Sequence, residues 1–107
     1  MKIIRNNIIP FKGFDAINLF GILFVRKDSV INDKIINHEE IHTAQMKEML
    51  FVFYYIWYLI EWFIKLILYC NNEFAYRNIS FEQEAYEHEN NMDYLKNRKH
   101  FYWMKFI

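Results

Sequence analysis

Short apolar runs open the chain and give way to helical periodicity after residue 32. Ile3, Ile4, Ile8 and Ile9 precede Pro10, a turn is predicted around Lys12 and Gly13, and the apolar run from Ala16 to Arg26 contains Gly21. These features predict strands over residues 1–27, paired as a small sheet or hairpin. A glycine within such a run predicts a bulge or a close backbone approach, to a bound peptide or to a packed neighbour. The polar stretch from Arg26 to Asp33 leads into a helix over 33–49, with Asn32 as its N-cap and Asp33 at the positive end of its dipole. Ile35, His38, Glu39, His42, Met46 and Met49 recur at helical spacing on one side, and Glu40, Thr43 and Lys47 lie on the other.

From Met49 to Cys70 every residue but Glu61 and Lys65 is uncharged and most are apolar. Such a helix, over 50–70, is roughly 30 Å long, enough to reach across a bilayer core. On an insertion scale its Leu, Ile, Phe and Val residues contribute about −4 to −7 kcal/mol and its two charges cost about +5 to +7 kcal/mol, which decides nothing. A small chain needs a central hydrophobic helix in any case, so the expectation is a buried or peripheral helix, with a membrane surface in play. Glu61 and Lys65, spaced i and i+4, are placed to pair on an exposed face or to neutralise each other in lipid.

After the connecting segment NEFAYRN, Ser80 and Gln83 have the form of a capping box, predicting a helix over 81–91 that starts at Phe81. Glu82, Ala85, Tyr86 and Glu89 share one of its faces, and Phe81, Glu84 and His88 the neighbouring one. Residues 93–107 have helical composition and an amphipathic end, predicting a C-terminal helix that packs back on the core. The whole reads as a single α+β domain over residues 1–107, mainly α: an N-terminal sheet or hairpin followed by three to four helices.

Composition narrows the function. A hydrophobic content of 54%, 21% aromatic, with two Gly and one Pro, excludes a disordered or loop-rich chain. Thirteen basic and thirteen acidic side chains leave no basic stripe, so nucleic acid is not an expected partner. The lone Cys70 forms no internal disulfide and reads as a small apolar residue. Asn6, Asn7, Pro10 and Lys12 interrupt any run suited to a cleaved signal peptide, which predicts a cytoplasmic or membrane-associated protein.

The candidate chemistry lies in residues 38–42, HEEIH, which fit H-E-x-x-H. With four His and nine Glu in 107 residues, about 0.01 chance occurrences are expected. Residues four apart on a helix share a face, so His38 and His42 can reach one metal ion, for which zinc is the expected identity. Glu39 beside them is poorly placed as a ligand but well placed to take a proton from water. A hydrolytic site needs a third protein ligand. Gln45 and Glu48 stand where the metzincin extension has Gly and His, which excludes that branch.

HEEIH followed about forty residues later by SFEQEAY resembles the gluzincin class of zinc metallopeptidases. It is also similar to short bacterial proteins with an H-E-x-I-H-x-x-Q helix, an aromatic central helix and an F-E-x-E-A-Y segment. The resemblance implies a minimal zincin-like fold in which Glu82 completes the zinc site, with Glu84 the competing carboxylate. Ala85 matches the small residue expected three positions after the ligand. Tyr86 stands where that pattern has an Asp supporting a ligand histidine, and Glu40 stands at a position normally uncharged.

The expected function is therefore a zinc metallopeptidase: His38, His42 and Glu82 hold zinc, Glu39 is the catalytic base, and a peptide or protein substrate lies along the strand near Ile17 to Val25. Tyr76, Arg77, Tyr86 and His88 are candidates for stabilising an oxyanion, none distinguished by spacing, and His100 has no motif partner. The rival is a non-catalytic, membrane-associated or partner-binding helical protein with a structural metal, for instance with His88 as a fourth ligand, or with none.

Overall fold

Strands β1 (Lys2–Asn6), β2 (Ala16–Leu19) and β3 (Ile22–Arg26) form one sheet in the order β1-β3-β2. The computed structural model describes residues 1–10 and 14–107, and the turn predicted at Lys12 and Gly13 lies outside them. β2 and β3 are an antiparallel hairpin, while β1 runs parallel to β3, so among the described residues the outer edge of β2 pairs with no strand. Phe20 (φ 53°) and Gly21 (φ 89°) make the hairpin turn, whose backbone requires positive φ at both positions. Gly21 is thus a turn residue and not a bulge within a strand. The close approach is to the chain's own helix, because a Cβ on Gly21 would stand 3.3 Å from Thr43 Cγ2.

Helix α1 (Asp33–Glu48) begins at Asn32, whose side chain accepts from Ile35 N at 2.9 Å. Asn18 ties the sheet to it. Its Nδ2 donates to Glu39 O at 3.0 Å and Thr43 Oγ1 at 3.1 Å, while its Oδ1 accepts from Gly21 N at 3.0 Å. The same side chain therefore fixes the hairpin turn and its distance from the helix that carries the histidines.

Leu50 (φ 53°) and Phe51 (φ 60°) turn the chain sharply into α2 (Val52–Tyr69). Only Tyr54 and Glu61 of α2 are buried, so this helix is peripheral. The expected pairing of Glu61 with Lys65 is not formed. Glu61 instead turns inward and accepts from Ser80 N and Ser80 Oγ, both at 2.6 Å, and from Trp57 Nε1 at 2.9 Å. It satisfies a free N–H at the start of α4 (Ser80–His88), where a carboxylate also suits the helix dipole. That replaces the predicted capping box. Ser80 is committed to Glu61 and Gln83 Nε2 donates to Asn78 O at 2.9 Å, so α4 starts one residue earlier than Phe81.

The segment NEFAYRN is not a plain connection. Asn71 caps a short helix, α3 (Asn72–Arg77), by accepting from Phe74 N at 2.9 Å. Nor is 93–107 one helix. It divides into α5 (Tyr94–Asn97) and a 3-10 turn (Tyr102–Phe106), with Arg98 extended between them. The physical reason is charge pairing: Arg98 reaches Glu48 on α1 at 3.0 Å through two nitrogens, and Glu84 on α4 at 2.6 and 3.0 Å. The tail does pack back, with Trp103 buried 4.6 Å, ring to ring, from the fully buried Phe81.

Candidate metal centre

The site sits on a seam between α1 and α4 that polar side chains close at both ends. Near the start of α1, Asn37 Nδ2 donates to Glu89 O at 2.8 Å and Asn91 O at 3.0 Å, holding the exit of α4. Two turns later, Gln45 Nε2 donates to Phe81 O at 3.0 Å and Glu84 Oε1 at 2.9 Å, holding its entry. Between these clamps His38, His42 and Glu82 are buried together.

His38 Nε2 lies 3.1 Å from His42 Nε2, and Glu82 Oε1 lies 3.1 Å from the first and 3.0 Å from the second. The outer side of each ring is also occupied. His38 Nδ1 faces Glu89 Oε2 at 2.7 Å, and Lys34 lies 3.3 Å from the same carboxylate. His42 Nδ1 faces Gln45 Oε1 at 2.8 Å, an amide whose orientation is set because its nitrogen already donates to two acceptors. Both outer nitrogens therefore meet acceptors, an arrangement that turns the two Nε2 atoms inward as ligands when a metal is bound. Two Nε2 atoms and one carboxylate oxygen then converge on one buried point.

Such a convergence in a buried place needs a positive charge within it, a proton on His42 when no metal is bound or a metal ion in its place. The spacing is a few tenths of an ångström tighter than that around zinc, where ligand bonds of about 2.0–2.2 Å in a tetrahedron put neighbouring ligand atoms roughly 3.3–3.6 Å apart. The donor set of two imidazoles and a carboxylate is that of a zinc centre with a free position. The remaining Glu82 oxygen, Oε2, accepts from Tyr58 OH at 2.8 Å, which orients the carboxylate.

Without a metal the site is charge-coupled. Burial opposes a charged His42, but the charge and hydrogen bond of Glu82, with the charge of Glu39, outweigh it and raise its pKa to about 9. Burial likewise opposes ionisation of Glu82, yet the two histidines hold its carboxyl well below the usual range. Glu39 differs. Its carboxylate lies within 4.8 Å of the histidine nitrogens, and burial raises its pKa against the pull of His42 and His38.

Glu84 is brought elsewhere. One turn's fraction around α4 from Glu82, it accepts from Arg98, Gln45 and, at 2.5 Å, Tyr94 OH, and so belongs to the ion-pair cluster beside the site. His88 stacks on the Tyr94 ring at 3.9 Å and is not among the converging groups. Of the four oxyanion candidates, Tyr76 lines the cleft described below. Tyr86 packs its ring 4.6 Å from that of His38, and Arg77 lies 4.4 Å above Tyr86. His100 is 91% exposed, outside the site.

Sequence reasoning missed Glu89, Gln45 and Tyr58 as partners of the three converging residues. Glu89 had a signal: it is seven residues, two helical turns, beyond Glu82, and takes the supporting place that Tyr86 leaves open. Gln45 lies three residues after His42, within reach of the same ring.

An open cleft of about 330 Å³ leads to this centre, bordered by β2, Glu39, His42, Glu82, Tyr58, Leu59 and Tyr76. The outer edge of β2 therefore runs beside the converging groups. Compared with protein-family models, curated proteins and solved structures, the chain matches none.

Proposed function

We propose that this chain is a zinc-dependent metallopeptidase of gluzincin-like design, with His38, His42 and Glu82 as its metal ligands. The carrying observation is the convergence of two imidazole nitrogens and a carboxylate oxygen, buried and 3.0–3.1 Å apart. Zinc held there supplies a Lewis acid that lowers the pKa of a bound water toward 7. Glu39 accepts a proton from water at its carboxylate and donates it to the nitrogen of the leaving amine, a role that suits a carboxyl raised by burial. The outer edge of β2, where Tyr55 OH now holds Asn18 O at 3.2 Å, aligns an extended peptide across the cleft. Three converging ligands beside an open cleft, with His88 engaged elsewhere, favour this reading over a closed structural site.

Elemental analysis of protein purified without chelator tests the proposal. About one zinc per chain is expected, lost in the His38→Ala, His42→Ala double variant; no metal in either, even after added zinc, would defeat it. The partners of the ligands should count as well. Glu89→Gln replaces the carboxylate behind His38 and is expected to weaken zinc binding about 10- to 100-fold in a chelator competition. Unchanged affinity would show that His38 needs no such support.

A further inference from the structure

Helix α2 turns about half of its circumference away from the protein. Val52, Ile56, Ile60, Phe63, Ile64 and Ile67 are each between 48% and 64% exposed. At about 100° per residue they fall in one arc running the length of the helix, roughly 27 Å, and no charged side chain lies in it. The helix's own carboxylate, Glu61, is turned inward and accepts three hydrogen bonds, which is how charged groups on lipid-facing helices are accommodated.

Two occupants compete for this face. A second copy would meet it as one convex cylinder on another, along a line. Even full coverage of the exposed half, roughly 27 Å by 16 Å, gives about 400 Å², half of the ~800 Å² per partner in a stable interface. A bilayer needs no complementary shape and covers the whole arc. The helix is long and apolar enough to cross it, yet crossing would carry its inner neighbours, Glu82 and Ser80, and with them Glu39 and the histidines, into hydrocarbon. Lying flat leaves those groups on the water side.

We infer that α2 lies in the plane of a membrane surface with its outer half in the acyl region, and that the cleft opens at the lipid boundary. Leu59 joins the two features, since it is 58% exposed at one margin of the arc and also borders the cleft. Resting on the metallopeptidase reading, the substrate class becomes a peptide segment held at a membrane.

Flotation of the full chain with phosphatidylcholine and phosphatidylglycerol vesicles tests this, with zinc measured in the same fractions. The wild type should rise with the lipid, and the Ile60→Glu, Phe63→Glu double variant should partition at least about tenfold less while keeping its zinc. Protein that stays in the soluble fraction, as monomer or dimer, would overturn the inference even if it holds zinc. Flotation without zinc would uphold the membrane surface and defeat the metallopeptidase instead. Nitroxide labels on Phe53→Cys, Ile60→Cys and Ile67→Cys, each in a Cys70→Ser background, should report one shallow depth of about 5–10 Å. A label at Ile60 near mid-bilayer, with the others toward opposite surfaces, would replace the flat orientation by a crossing one. Finally, a peptide tethered to the vesicle by an acyl chain should be cut faster than the free peptide, the ratio falling toward one in the double variant. Equal rates in the wild type would overturn the substrate class.

Discussion

Glu39→Gln is expected to keep its zinc and to lose peptide hydrolysis by roughly 10²- to 10⁴-fold, the usual worth of a positioned general base. The substitution keeps the shape of the side chain and removes only its ability to accept and return a proton. The structure gives reasons to expect a clean separation. Glu39 lies beside the histidine nitrogens, but the three atoms that converge at 3.0–3.1 Å belong to His38, His42 and Glu82. Metal content and the rate on a quenched fluorescent peptide library should be measured on the same preparation. Full activity in the variant would contradict the role, and loss of zinc would mean that Glu39 is itself a ligand.

Glu82→Ala and Glu84→Ala should fail in opposite ways. The first removes an acceptor from between the two histidines and is expected to cost zinc affinity more than about 100-fold, beyond the effect of losing a supporting partner. The second leaves Arg98, Tyr94 and Gln45 facing a gap in a buried ion-pair cluster, which typically costs about 3–5 kcal/mol of stability. Both variants lose a buried carboxylate and calorimetry should show a fall in Tm without metal, but added zinc should raise the Tm of Glu84→Ala and leave that of Glu82→Ala unchanged. Equal zinc losses in two folded variants would break the assignment. Acid should reproduce the second effect. Burial alone would raise the Glu84 carboxyl, but the hydrogen bonds of Arg98, Tyr94 and Gln45 and the charge of Arg98 hold it below its ordinary value. Its stabilisation is thus present above the ordinary carboxylate range and is lost as pH falls through the lowered native value.

Periodicity and caps carried the fold class, because they are local. The Asn32 cap, the span of α1 and, to within two residues, the limits of α2 follow from residues within a few positions of one another, whereas the run from Ala16 to Arg26, expected as one strand, is two strands joined at Phe20 and Gly21. What escaped was set by contacts distant in sequence. Ser80 and Gln83 have the right spacing for a capping box, yet Glu61, nineteen residues away, takes the hydroxyl and the N–H that the box would use. The expected C-terminal helix breaks because Arg98 answers to carboxylates on two other elements. At the candidate site, helical spacing put Glu82 and Glu84 on different faces of α4, but only the three-dimensional seam distinguishes the face toward the histidines from the face toward Arg98. The supporting groups behind the rings were legible only in part, since Glu89 and Gln45 matter through their angle to a ring and not through any motif.

The Glu48–Arg98–Glu84 cluster also bears on the order in which the molecule can assemble during synthesis. Glu48 and Glu84 are both buried, and each faces the guanidinium of Arg98. Until residue 98 has left the ribosome, closing α1 onto α4 would bury two carboxylates near one another with no counter-charge. The histidines and Glu82 are all translated earlier, so closing the seam that brings them together before Arg98 emerges is opposed by these two carboxylates.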